Sequence, residues 1–165
     1  MDHFCPAPWI NISTDVNGSI RPCCRYEQPE RQVTYKMPWM YDSGDLTDLY
    51  NNEKLEKLRL AFLQGEKPDE CNWCWTEEKL GIRSFRQIYI DRKYDIDFEE
   101  VQQTPKILDL KLSNVCNLKC RMCGSRASSS IAKEQNNLQP YYQEFKILHT
   151  DKEKDFVDNW LPQIL

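Results

Sequence analysis

The chain has 165 residues, of which 40% are hydrophobic and 12% aromatic, and a formal net charge of -4; its mean hydropathy is -0.74 and its isoelectric point is near 5.3. That length holds one ordinary domain or two small ones with modest cores, and the composition reads as a soluble folded chain rather than a disordered one. An acidic balance with no run of Lys and Arg gives no footprint for a phosphate backbone, which sets nucleic acid aside. The absence of an apolar leader or a membrane-length stretch leads us to expect a cytoplasmic chain with no membrane partner.

Read in chain order, residues 9–23 predict two short strands joined at Asn17-Gly18, a strong hairpin signal, with Cys23 just past the return strand. Counting register about that two-residue turn places Cys23 opposite Ile12, so Cys5 and Cys23 would have to converge through the Pro6-Ala7-Pro8 bend. Residues 27–45 show no steady period and predict an irregular loop packed down by its aromatics. A helix is expected from about Asn51 or Asn52, burying Leu55, Leu58 and Phe62 and stopping at Gly65 with Pro68 beyond. It delivers the chain to Cys71 and Cys74.

A further helix is expected from about Trp75 toward Tyr89, followed by a charged connector closed at Thr104-Pro105. We place a domain boundary near residue 100, dividing the chain into residues 1–100 and 101–165. Residues 107–112 alternate as a strand, a cysteine loop follows, a helical stretch begins near Ser125, and one more helix is expected over residues 151–165. Strand, loop and helix make the βα unit of a barrel or α/β layer.

Eight cysteines in a chain of this kind are expected to be reduced, and so to serve as metal ligands, catalytic groups or packing residues rather than disulfides. Cys116, Cys120 and Cys123 have the spacing C-x3-C-x2-C immediately after the predicted strand. Three thiolates leave one iron of a [4Fe–4S] cluster open to an outside ligand, whereas a zinc loop more often supplies four ligands in closed pairs. On this motif the chain resembles the radical S-adenosylmethionine superfamily. The resemblance implies a cluster on Cys116, Cys120 and Cys123, with S-adenosylmethionine bound to the open iron and cleaved reductively to start radical chemistry. Met122 stands where the family commonly has an aromatic residue close to the adenine.

Cys5, Gly18 and Cys23, followed much later by Cys71 and Cys74, read C-x12-G-x4-C and then C-x2-C. This resembles the auxiliary-cluster module called a twitch domain, the shortened relative of the SPASM domain, and implies a second [4Fe–4S] cluster on Cys5, Cys23, Cys71 and Cys74. Four thiolates suit zinc as well. Cys24 is left over, either a packing residue or a replacement for Cys23. Trp9, Trp73 and Trp75 flank the cysteines, as water-excluding walls or as ordinary core, and His3 and His149 carry no ligand spacing.

The fold expected is therefore an α+β module of hairpin plus helices, followed by the first βα units of a partial TIM-like barrel. At roughly 30 residues per unit, the 59 residues from 107 to 165 hold about two units. The barrel is thus read as incomplete: a front fragment, a split protein completed by a second chain, or a degenerate gene. The implied partners are S-adenosylmethionine, a peptide or small-molecule substrate, and an electron donor such as flavodoxin or ferredoxin. Two other readings stand beside this one: a non-catalytic iron–sulfur electron-transfer module and a zinc-stabilised interaction module.

Overall fold

A computed structural model describes residues 3–15, 19–27, 45–99, 104–111, 114–125, 127–138 and 158. Those residues form an α+β fold around a three-stranded sheet of order β2-β1-β3. A single helical turn, α1 (Ala7–Ile10), runs directly into the central strand β1 (Asn11–Thr14). The return strand β2 (Ile20–Arg21) is antiparallel to β1, and β3 (Ile107–Asp109) lies parallel to it on the other side.

The hairpin differs from the expected one by a residue. Its pairs are Thr14 with Ile20 and Ser13 with Arg21, and the Asp15 amide donates to the Ser19 carbonyl at 2.9 Å. That register places Cys23 level with Asn11 instead of Ile12. Because side chains alternate along a strand, a one-residue slip exchanges faces. The Asn17-Gly18 turn itself, the loop of residues 28–44, His149 and the tail helix apart from Asp158 lie outside the described residues.

All four residues of β1 are buried, although three are polar. A central strand covered on both sides tolerates this only if its polar groups find partners. Asn11 Nδ2 donates to the Pro22 carbonyl at 2.8 Å and Ser13 Oγ to Asp109 Oδ2 at 3.0 Å. Thr14 Oγ1 donates to the Lys111 carbonyl and accepts from the Lys111 amide. These side chains tie both neighbours to β1 more firmly than such short ladders alone would. Ile12 and Ile20 pack with Tyr50, Leu55, Leu58 and Phe62 in the main core.

Two helices supply the rest of that core. The first, α2 (Leu46–Tyr50), is capped by Asp45, whose side chain accepts from the Thr47 amide. The second, α3 (Glu53–Leu63), bears out the expected helix: Asn52 caps it by accepting from Lys54 and Leu55, and Leu55, Leu58 and Phe62 are buried. It ends in a Schellman motif, with Gly65 at φ 78°, its amide on Phe62 and the Glu66 amide on Ala61.

The single helix expected over residues 75–89 is instead two. A 3-10 turn (Asp69–Cys71) leads into α4 (Asn72–Lys79), which a second Schellman motif closes at Gly81, φ 73°. Ser84 then starts α5 (Phe85–Asp91) with a reciprocal capping box to Gln87. Ser84 is fully buried and its hydroxyl also donates to Glu78 Oε1. Ser84→Ala should therefore cost about 1–2 kcal/mol of stability, read as a lower urea midpoint at constant slope; an unchanged midpoint would show that the cap contributes nothing.

The last described helix, α6 (Ser129–Leu138), begins four residues later than the sequence suggested. Ser128, Ser129 and Ser130 are occupied with holding the preceding loop. Among the described residues no helix is long and apolar enough to cross a membrane.

Candidate iron–sulfur centre

Four cysteines from three separate segments line one recess. Cys5 sits ahead of α1, whose first turn is set by Pro6 as N-cap. Cys23 follows β2 in the turn that leads to Tyr26. Cys71 closes the 3-10 turn and Cys74 lies three residues on within α4, so their thiols share a face of the helix start. Phe62 from the core floors the recess, and Trp75, Phe85 and Tyr89 wall it.

Cys24 is exposed and does not line the recess, which settles which of the adjacent thiols faces inward. Of the flanking tryptophans, Trp75 borders the recess, while Trp9 is buried in the core, tilted against Phe4 and edge-on to the half-exposed Phe98. Trp73 is half-exposed and donates to Glu77 Oε1. His3 packs edge-on against Trp75.

Burial is the main force that raises these thiols in the metal-free protein; neighbouring thiols add to it at Cys5, Cys23 and Cys71, and the Glu77 and Glu78 carboxylates add to it at Cys74. Burial pushes the Cys23 thiol up to about 12, and Cys5 and Cys71 are pushed well above the ordinary thiol value of 9.0. Cys74 is raised by burial as well. Opposing this, backbone amides favour the thiolates: Ala7 at Cys5, Arg25 and Tyr26 at Cys23, and Arg86 at Cys74. Amides aimed at sulfur are among the groups that tune a thiolate-bound metal centre.

Among the described residues no three His, Cys, Asp or Glu side chains converge closely enough to grip one metal ion. The four thiols stand around a space instead. Thiolates that each bind a different iron of a [4Fe–4S] cube are necessarily spread more widely than four thiolates on a single zinc at about 2.3 Å. In donor type, four cysteine thiols lining one recess, the residues fit the cluster.

Sequence reasoning missed the two arginines of this recess. Arg86 is buried, with Nε and Nη2 on the Glu78 carboxylate at 2.8 and 2.6 Å and Nη1 on the Phe4 carbonyl at 2.8 Å. Burial works against its charge, but the Glu78 hydrogen bonds and the nearby Cys5 and Cys74 outweigh that and raise its pKa. Arg25 lies between the rings of Trp73 and Phe85, 5.0 and 5.2 Å from their centroids, and reaches Glu77 at 3.7 Å. The signal available was Glu77-Glu78, one helical turn beyond Cys74; no spacing rule reaches from there to residues 25 and 86.

The second group behaves differently. Cys116 is half-buried, Cys120 and Cys123 are exposed, and Met122 is 93% exposed. Among the described residues the loop is anchored to the start of α6 at Cys116 and Leu118, and Lys119 pairs with Glu134 farther along that helix. The Cys116 amide donates to Ser129 Oγ at 3.2 Å, while the Ser129 and Ser130 hydroxyls donate to the Cys116 carbonyl. Ser128 Oγ holds the Leu118 carbonyl at 2.9 Å, and the Leu118 amide points at Cys116 Sγ at 3.4 Å. Farther on, the Cys123 amide donates to the Cys120 carbonyl at 3.0 Å. The three thiols thus share one loop laid over the N-terminus of α6, and they are not gathered into the recess.

Residues 5–75 match the SPASM iron-sulfur cluster-binding domain. That span takes in α3 and all four recess cysteines, so the first part of the chain is similar to the SPASM module, a kind of domain that binds iron–sulfur clusters. No curated protein and no solved structure shows significant similarity to the chain.

Proposed function

We propose that this chain works in a radical S-adenosylmethionine enzyme, with its auxiliary [4Fe–4S] cluster in the recess and a second cluster on Cys116, Cys120 and Cys123. The observation that carries the reading is the convergence of Cys5, Cys23, Cys71 and Cys74 from three segments within the stretch that matches an iron–sulfur module. Domains of that kind occur in radical S-adenosylmethionine enzymes, and the C-x3-C-x2-C loop follows in the same chain. Residues 1–100 then form the auxiliary module and residues 101–165 the opening of a partial barrel, with β3 as its first strand.

In this reading the chain's residues act in distinct ways. Cys5, Cys23, Cys71 and Cys74 hold the auxiliary cluster while Phe62, Trp75, Phe85 and Tyr89 keep water from it. Cys116, Cys120 and Cys123 supply three thiolates, and α6 fixes the first of them through Ser129 and Ser130. When bound, the cluster at this loop supplies the electron that cleaves S-adenosylmethionine. Met122, exposed on the same loop, packs against that ligand in this reading. A cytoplasmic location, a low-potential donor of the flavodoxin or ferredoxin kind, a peptide or small-molecule substrate and a second chain to complete the barrel belong to the same proposal.

Anaerobic reconstitution with iron and sulfide, followed by metal counting and electron paramagnetic resonance, tests it. We expect about eight irons per chain and a reduced signal that changes on adding S-adenosylmethionine. Zinc without iron would reject the proposal. Two clusters with no 5′-deoxyadenosine formed under reducing conditions, even with candidate partner chains, would leave an electron-transfer module.

A further inference from the structure

Glu77 and Glu78 sit three and four residues beyond Cys74 on α4, each paired with an arginine that lines the cysteine recess. Both arginines are locked by more than their carboxylates. Arg86 is stacked on Trp75, 5.0 Å from the ring centroid, and holds the Phe4 carbonyl next to Cys5. Arg25, two residues past Cys23, is clamped between two aromatic rings. Glu78 is in turn held by Ser84. Both pairs are thus held in fixed positions at the wall of the recess, largely out of solvent, where a charge is felt more strongly than at the surface.

Resting on the cluster reading above, we infer that the Arg25–Glu77 and Arg86–Glu78 pairs set the reduction potential of the recess cluster, the arginines raising it and the glutamates lowering it. The step concerned is the uptake of one electron from a low-potential one-electron donor. No bond forms or breaks, and the recess gains one negative charge. A cation fixed at the wall favours the more negative state and an anion disfavours it, an interaction strengthened by the apolar lining. The two ends of the Arg86–Glu78 pair are not equivalent. Arg86 reaches the Phe4 carbonyl beside Cys5, whereas Glu77 and Glu78 share α4 with Cys74. Neutralising one partner should therefore leave the other's field exposed rather than cancel it.

The experiment uses the full chain carrying Cys116→Ala and Cys120→Ala, so that only the recess signal remains, and follows reduction by potentiometry with electron paramagnetic resonance. Arg86→Gln is expected to shift the midpoint to more negative values and Glu78→Gln to more positive ones, with Arg86→Lys close to the parent. Arg25→Gln should move it in the same direction as Arg86→Gln, and serves in its place if that variant loses iron. Shifts of one sign in both neutralised variants, or no shift at full iron occupancy, overturn this inference while leaving the cluster reading intact. A parent protein that takes up no iron in the recess removes the cluster reading and this inference with it.

Discussion

Cys74→Ser is expected to lose the recess cluster outright, lowering iron to about half that of the parent and leaving the Cys116 loop's share in place. The effect is large because Cys74 is one of four thiols around a single space and is nearly buried, so no neighbouring donor replaces it. Cys24, although adjacent to Cys23, is exposed on the outer side of its turn, and Cys24→Ser should leave the iron content unchanged. Metal binding that forms only in the folded state adds directly to folding stability, and the variant's melting temperature should fall with its iron. Parent-level iron in Cys74→Ser would exclude this residue as a ligand.

The same thiols give the metal-free protein a pH signature. Below about pH 9 they are protonated both folded and unfolded and contribute no pH dependence. Above it the unfolded chain ionises while the folded thiols, Cys23 up to about 12 among them, stay neutral. Stability of the metal-free protein should therefore fall as pH rises from 9, by up to roughly 1.4 kcal/mol per pH unit for each such thiol. Cluster loading runs the other way: protons compete with iron for sulfur, so occupancy should drop as pH is lowered. Urea midpoints of the metal-free protein at pH 8 and 10.5 check the first part, and a midpoint that rises with pH would contradict the buried, neutral thiols described here.

Arg59→Met should be the most damaging single change away from the cysteines, costing about 3–5 kcal/mol. Arg59 is 7% exposed and joins three elements: Nε donates to the Pro8 carbonyl at 2.9 Å, Nη2 to the Tyr50 carbonyl at 3.0 Å and Nη1 to Asn51 Oδ1 at 3.3 Å. Its guanidinium also lies 4.8 Å from the centroid of the Tyr50 ring. Methionine keeps most of the apolar stem but leaves the Pro8 and Tyr50 carbonyls buried without those donors. Since Pro8 belongs to α1, directly after Cys5, the loss should reach the recess as well and slow cluster uptake. Denaturation of the metal-free variant measures the first effect; a loss below about 1 kcal/mol would mean that water replaces the guanidinium without difficulty.

Local chemistry explains which parts of this fold can be read from its residues. Asn52, the spacing of Leu55, Leu58 and Phe62, and Gly65 state one helix in agreement, and α3 follows them. Gly81 and the Ser84-x-x-Gln87 box are a stop and a start written in the residues, and the structure divides the expected helix there. The hairpin slipped by one because Asp15 and Ser19 pair across the loop, a tertiary choice fixed by partners such as Lys111 and Asp109 that lie nearly a hundred residues away. The cysteines of the recess were visible through spacing alone. Its arginines were not, because a fixed counter-charge has no sequence period and Arg25 and Arg86 meet there only after α4 and α5 have folded.

The parallel pairing of β1 with β3 also orders events during folding. Asn11 aligns with Ile107, a separation of 107 - 11 = 96 residues, and closing a chain segment of that length costs about 4 kcal/mol of entropy, against roughly 2 kcal/mol for a loop the size of the hairpin. Every wall of the recess comes from residues 5–89, all of which leave a ribosome before β3 does. The four thiols can therefore come together while the exposed cysteine loop is still being made, so that an already formed β1 edge receives β3 and the Cys116 loop follows it into place.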